Sequence, residues 1–516
     1  MADFTFAELT PTAFLRRSAQ VYANRDAVVD GDLRFTYAEL YARCLAGTGV
    51  LAGLGVQPGD RVAVLATNGH ELLEMHYAVP MRGGVLVPLN IRLSPEELGY
   101  ILEHSGACLL VLSEEFADIG AQVAAAVGIP VLQAGPGSEY ERLLVDAQPA
   151  EVACKDERGL LGINYTSGTT GKPKGVMTHH RGAYLQSLSL LVHNQMDQST
   201  AYLWTVPMFH CNGWCLTWGV TAIGGLHVCL RKIDPEQIWV LLRDHGVTHF
   251  SAAPTVLTMV AGAQGAAGPP LESRVNVTTG GSPPSPTLLG RMDRLGMDVT
   301  HLYGLTETFG PIGINEWQPQ WDDLDADAQA GLRARQGVGN VIAEPLRVVD
   351  AKGVDVPRDG QAVGEIVAHG NDVMLGYYRD DAATDAVTID GWFRTGDLAV
   401  MHDDGYLEIK DRAKDIIITG GENVASVEVE RVIDAHPDVI ESAVVGAPDE
   451  RWGEVPIAFV TVRAGAELTV EHIADHVRAH LAGFKVPKRI YFSAIPKTST
   501  GKIQKQVLRK SLRDDE

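Results

Sequence analysis

The chain has 516 residues, 45% of them hydrophobic, enough to bury a large core and, at about 150 residues per unit, to form two or more domains. A formal charge of −22, from 43 basic and 65 acidic side chains, opposes a general grip on nucleic acid or anionic lipid and confines anion binding to a local basic pocket. No run reaches the ~18 uninterrupted apolar residues of a membrane span, Met1-Ala2-Asp3-Phe4 lacks a secretory signal's basic flank, and six irregularly spaced cysteines make no disulfide framework, so a cytoplasmic enzyme without an integral membrane segment is expected.

In chain order, Arg61-Val62-Ala63-Val64-Leu65 and Gly84-Val85-Leu86-Val87-Pro88 predict buried strands. Ser94-Pro95-Glu96-Glu97 predicts a helix start with an N-cap, a first-turn proline and a capping-box glutamate. Cys108-Leu109-Leu110-Val111-Leu112 predicts the next strand, so strand and helix alternate as in layered α/β architecture with mostly parallel sheets. The acidic stretch from Trp321 to Asp327 reads as a solvated helix start. The character changes near residue 410, where the polar cluster Lys410 to Asp415 leads into Ile416-Ile417-Ile418 and a Gly420-Gly421 turn. Beyond it a compact α+β unit is expected, with helices from about Ser426 and Thr469 and strands around 443–445 and 457–460. The domains are therefore placed at 1–413 and 414–516.

The apolar run Leu160 to Asn164 feeds "YTSGTTGKPKGV", residues 165–176. A strand ending in a loop of glycines and hydroxyls presents N–H and O–H donors to an anion, and lysines add charge, which points to phosphate. It is not the common nucleotide P-loop, because Thr166 stands where that pattern needs glycine and Pro173 follows Lys172. On composition alone a flexible surface loop is the alternative. The order of residues in "TSGTTGKPKG" resembles the signature of the adenylate-forming superfamily, which includes acyl-CoA synthetases, aryl-CoA ligases, luciferases and peptide synthetase adenylation domains. The resemblance implies a large N-terminal domain of layered α/β subdomains and a small mobile α+β C-terminal domain, with the active site between them. It assigns Thr166, Ser167, Gly168, Thr169, Thr170, Gly171, Lys172 and Lys174 to the phosphates of ATP.

Activating a carboxylate through an acyl adenylate requires a metal site on the phosphates, donors at the α-phosphate, a ribose anchor and an adenine slot. Four further motifs in the superfamily's order supply candidates. In "YGLTET", 303–308, Thr306 can donate to phosphate, Glu307 is a hard oxygen ligand for Mg²⁺, and Tyr303 offers a face for adenine. "GWFRTGDLA", 391–399, offers Asp397 to both ribose hydroxyls, and "DRAKD", 411–415, adds Arg412 at the ribose and Lys414 as the pivot between domains. In "PKTSTGKIQK", 496–505, Lys502 would neutralise charge between carboxylate and α-phosphate; a solvated basic tail is the alternative reading. Outside those four, "TTGGSPPSP", 278–286, also fits and places Gly280, Gly281, Ser282 and Pro283 near adenine and the acyl group, or in a plain turn. The family's second half-reaction needs a thiol where the lysine stood, so by analogy the small domain rotates about residue 414 and brings Gly420 and Gly421 to a pantetheine tunnel.

"PMFHCNGWCLTWG", 207–219, lies where the family places acyl-pocket residues and resembles plant acyl-activating enzymes and short-chain relatives more than aryl-CoA ligases. His210 reads as a pocket wall or gate, or as a core histidine. Trp214 and Trp218 could close the pocket against long tails. A metal cluster of His210, Cys211, Cys215 and His227 lacks the paired spacing of structural zinc. The expected activity is an ATP- and Mg²⁺-dependent carboxylic acid–CoA ligase for short or medium fatty acids, with a homodimer as a candidate assembly. The alternatives are an acyl-AMP ligase that loads a carrier protein, an aryl acid–CoA ligase, and a nucleotide-binding protein without chemistry.

Overall fold

The computed structural model describes residues 6–166, 172–281, 284, 286–449, 451–463, 465–498 and 502–514. The predicted strands form at Arg61–Leu65, Val85–Pro88 and Ala107–Ser113, and the predicted cap closes the helix Pro95–Ser105: the Ser94 hydroxyl accepts from Glu97 N–H while the Glu97 carboxylate accepts from Ser94 N–H. Along the acidic stretch, the Asp325 carboxylate accepts from Ala328 N–H and starts the helix Ala326–Arg333, while Trp321 is buried.

A seven-stranded sheet runs in the order 376–377, 174–179, 160–166, 85–88, 61–65, 107–113, 131–134. Its last five strands are parallel, and the first two are antiparallel additions. A nine-stranded sheet is parallel through 26–30, 226–228, 201–203, 249–252, 275–279 and 297–305, with antiparallel hairpins at both edges. Between them lies the largest core, built from Leu72, Tyr77, Trp204, Trp218 and their neighbours.

The helix His70–Met81 is buried on every side although it carries Glu71 and Glu74. Buried charges need partners, and both have them: Arg43 reaches Glu74 at 2.6 Å and Arg231 reaches Glu71 at 2.8 Å.

The expectation of mostly parallel sheets fails for the third sheet. Strands 347–349, 364–368, 392–401, 388–389 and 407–412 are all antiparallel. No crossover helix intervenes between 388–389, 392–401 and 407–412, and parallel pairing requires one. The fourth sheet carries the C-terminal unit. Its strands 422–424, 417–419, 453–462 and 439–449 are antiparallel, with 489–492 added parallel, and the helices Ser426–Asp434, Val470–His480 and Lys505–Asp514 accompany it.

Candidate active site

Four parallel strands of the nine-stranded sheet, 201–203, 249–252, 275–279 and 297–305, end on one edge. The segments that leave those ends, including Thr205 to Cys211, Ala253, Gly280-Gly281 and Leu305, line one cavity of about 550 Å³. Carboxyl ends of parallel strands are where open α/β sheets take their ligands. The strand Leu160–Thr166 of the other sheet is tied to this edge by Asn164, whose buried amide donates to Phe209 C=O at 3.2 Å.

That strand forms a hairpin with Lys174–His179, in which Thr166 stands opposite Lys174. Ser167, Gly168, Thr169, Thr170 and Gly171 lie outside the described residues, as do Ser282 and Pro283. The flanking lysines are held by aromatic rings. Lys172 Nζ sits 4.8 Å from the Tyr100 ring centre, and Lys174 Nζ the same distance from Tyr377.

Asp397 and Arg412 face each other across the antiparallel pair 392–401 and 407–412. Arg412 Nε lies 2.9 Å from Asp397 Oδ1, and Tyr303 O–H donates to Asp397 Oδ2 at 2.8 Å. The Asp397 charge holds the Arg412 guanidinium above its ordinary value, and burial pushes the Tyr303 phenol up, so both stay donors. The Tyr303 ring is only 7% exposed and packs into the core with Ile312 and Leu346. Its hydroxyl is therefore the part that organises the site.

Lys502 reaches this cleft from the C-terminal unit. A Cβ built on Gly281, whose φ is +90°, would lie 3.2 Å from Lys502 Cε, so the bare backbone makes room for the lysine. Burial and the Arg412 charge lower the Lys502 ammonium below the usual lysine range. Thr306 and Glu307 open a short 3₁₀ turn after the strand Met297–Leu305. Glu307 Oε1 accepts from Tyr377 O–H at 2.8 Å, and the Glu307 carbonyl accepts from Met374 N–H at 2.8 Å. His210 lines the cavity beside Lys502; burial first, and that lysine's charge second, lower its imidazole to about 3, so it is neutral.

Residues Cys211 to Cys215 all have positive φ, between +44° and +60°, which makes a left-handed turn. Left-handed backbone costs non-glycine residues about 1–2 kcal/mol each, and here it turns Trp214 toward the cavity. Cβ atoms built on Gly280 and Gly310 would meet the Trp214 ring at 3.4 and 3.2 Å. Trp214 thus forms part of the cavity wall.

Trp218 does not join it, because its indole N–H donates to His76 C=O within the core. The His210, Cys211, Cys215 and His227 grouping does not assemble either. Both His227 ring nitrogens are engaged, by Trp204 at 3.1 Å and Thr221 at 2.9 Å. Gly420 and Gly421 form an exposed hairpin turn with φ of +61° and +85° and do not line the cavity. Lys414 lies in the exposed turn just after the strand Leu407–Arg412.

Two features went unread in the sequence. Tyr377, which touches both Lys174 and Glu307, sits in "GYYRDD", where only the preceding Gly376, at φ +136°, hints at a special position. The left-handed turn has no signal beyond Asn212-Gly213.

Residues 15–378 match the AMP-binding enzyme family, and residues 428–502 match the AMP-binding enzyme C-terminal domain. The chain belongs to the AMP-binding enzymes. Among its AMP-binding relatives, the 2-methylpropanoate–CoA ligase of Humulus lupulus is 42% identical over 527 residues, covering 97% of this chain and 94% of the relative. The acetate–CoA ligase of the same plant is 43% identical over 538 residues, covering 98% and 94%. The ATP-bound MatB structure from Rhodopseudomonas palustris superposes with a TM-score of 0.87 at 29% identity, covering 99% of this chain and 100% of that one. This AMP-binding enzyme has, among its described residues, no helix long and apolar enough to cross a membrane.

Proposed function

We propose that one cleft of this enzyme joins a short aliphatic carboxylic acid to coenzyme A in two steps, and that residues 414–516 turn against residues 1–413 between them. The chain is an AMP-forming acid–CoA ligase by its family and by the CoA ligase activities named for its relatives. The choice of acid, the residue roles and the domain motion are our reading. The observation that carries it is that Lys502 from the small unit lines the cavity with His210 and Gly281 of the large one, within electrostatic reach of the Arg412–Asp397 ion pair.

In the first step a carboxylate oxygen of the acid attacks the α-phosphorus of ATP, the bond from that phosphorus to pyrophosphate breaks, and acyl-AMP forms. Lys502 neutralises charge shared by the carboxylate and the α-phosphate, and Thr306 donates to a phosphate oxygen. Asp397 Oδ1 is ion-paired with Arg412 and Oδ2 accepts a hydrogen bond from Tyr303, and each oxygen keeps a lone pair for a ribose hydroxyl. The 166–174 loop holds the departing phosphates.

In the second step the coenzyme A sulfur attacks the acyl carbonyl carbon, the carbon–oxygen bond to AMP breaks, and the thiol proton is lost. Lys502 must leave for the sulfur to approach, and the Gly420-Gly421 turn enters in its place.

Mg²⁺ fits the donor set. It commonly takes one or two carboxylates together with substrate phosphates, and Glu307 is a carboxylate whose second oxygen takes no hydrogen bond from the described residues. The described trio that could otherwise hold an ion, Asp30, His70 and Glu71, is served by the Arg231 guanidinium instead. Bound at Glu307, the ion would screen phosphate charge.

The acid is assigned as short because the bulky Trp214 ring takes up part of the cavity wall beside Gly280 and Gly310. Pyrophosphate release measured with C2 to C12 acids, cinnamate and benzoate tests this, with coenzyme A and a holo-carrier protein compared as acceptors. The highest kcat/KM is expected at or below six carbons with coenzyme A. A preference for cinnamate, or thioester formation only on the carrier, would overturn it.

A further inference from the structure

Tyr377 has no assigned role, yet it joins two elements of the phosphate region that come from different parts of the chain. Its strand, Gly376–Tyr377, pairs with the outgoing strand of the phosphate loop, with Tyr377 opposite Val176. That pairing is reinforced by Tyr378 N–H to Gly175 C=O at 2.7 Å and Leu375 N–H to Met177 C=O at 3.0 Å. The Tyr377 backbone N–H is occupied by the Thr384 hydroxyl at 2.9 Å, and the side chain is only 6% exposed. The ring is therefore fixed. One part of it carries the Lys174 ammonium, 4.8 Å from its centre, and its hydroxyl donates to Glu307 Oε1 at 2.8 Å.

We propose that Tyr377 is a positioning residue that prepares Glu307 and Lys174 together for the metal–triphosphate complex. The proposal rests on the reading of Glu307 as the Mg²⁺ ligand. By occupying Oε1 and fixing the carboxylate plane, Tyr377 leaves Oε2 free to meet the cation. By holding Lys174 on its ring, it keeps the ammonium out of a salt bridge with Glu307 that would compete for the same oxygen. Lys174 then exchanges the ring face for a phosphate oxygen when ATP enters. The hydrogen-bond partner of a metal-binding carboxylate is commonly worth about tenfold to a hundredfold in metal affinity or activity.

The test separates the hydroxyl from the ring. Tyr377→Phe keeps the ring and removes the donor; Tyr377→Leu removes both. Carboxylate-dependent exchange of pyrophosphate into ATP is measured against free Mg²⁺, and binding of Mn²⁺ with a non-hydrolysable ATP analogue is followed by electron paramagnetic resonance. Tyr377→Phe is expected to raise the Mg²⁺ half-saturation and weaken Mn²⁺ retention by about tenfold or more, with KM for ATP at saturating Mg²⁺ changed less than threefold. Tyr377→Leu should add a rise in KM for ATP. Conversion of preformed acyl-AMP and coenzyme A to thioester should be unaffected in both.

An unchanged Mg²⁺ half-saturation and Mn²⁺ signal in Tyr377→Phe would overturn the proposal, and this variant decides the matter even if Tyr377→Leu fails to fold. Glu307→Gln is the control. If it too leaves the metal dependence unchanged, the underlying assignment of Glu307 has failed; if it alone shifts it, only the role of Tyr377 has.

Discussion

Replacing Trp214 with glycine should lengthen the acids this enzyme accepts. The ring faces Gly280 and Gly310, at 3.4 and 3.2 Å from where their Cβ atoms would be, so no side chain at those two positions can fill the space it vacates. Each methylene of a longer acid that enters the space is worth about 0.8 kcal/mol, or roughly fourfold in kcat/KM. Octanoate has four more methylenes than butanoate, so full burial amounts to about 3 kcal/mol, and its kcat/KM relative to butanoate should rise by up to roughly 200-fold.

Glycine is the informative substitution because Trp214 has φ +56°. Truncating a buried tryptophan costs about 3–5 kcal/mol, but relief of left-handed backbone returns about 1–2 kcal/mol, so Trp214→Gly should lose less stability than Trp214→Ala. The assay is pyrophosphate release across C2 to C10 acids, with thermal melting of both variants. A change of less than threefold in the octanoate-to-butanoate ratio would refute Trp214 as the wall that limits chain length, as would an equal loss on every acid.

Lys502→Ala should cut adenylation by about 10²–10³, the scale for one charge-stabilising donor, while thioester formation from preformed acyl-AMP survives; equal loss of both steps, measured separately, would contradict the division of labour. Lys414→Pro should show the reverse, because fixing φ at the pivot hinders rotation, and the Lys414 N–H gives up no hydrogen bond among the described residues. The His210 imidazole, held at about 3 against 6.5 for an ordinary histidine, makes the unfolded chain bind more protons between those values. Stability attributable to it is therefore full above about pH 6.5 and lost as the pH falls toward 3. Melting curves of His210→Asn should decline less steeply across that window; parallel slopes would exclude the effect.

Much of the candidate site was legible from residue type and order. Asp397, Arg412, Lys502, Glu307 and the 165–176 loop stand in motifs whose chemistry is local, and the caps at Ser94 and Thr469 lie within one turn of the helices they start. Local hydrogen bonds and turn preferences act over a few residues, so sequence alone carries them. The separation of Trp214 from Trp218 was not legible: the two stand four residues apart, yet one faces the cavity and the other the core. A left-handed turn decides that, and only surrounding packing can impose such backbone on Cys211, Asn212, Trp214 and Cys215.

The burial of Glu71 and Glu74 likewise depends on Arg231 and Arg43, far away in sequence. So does the role of Tyr377, whose partners Lys174 and Glu307 lie about 200 and 70 residues before it. The order of residues by itself determined which reaction this protein can run. Tertiary structure decided which side chains wall the cavity and which partner holds the Glu307 carboxylate, because both depend on contacts between segments that no local preference brings together.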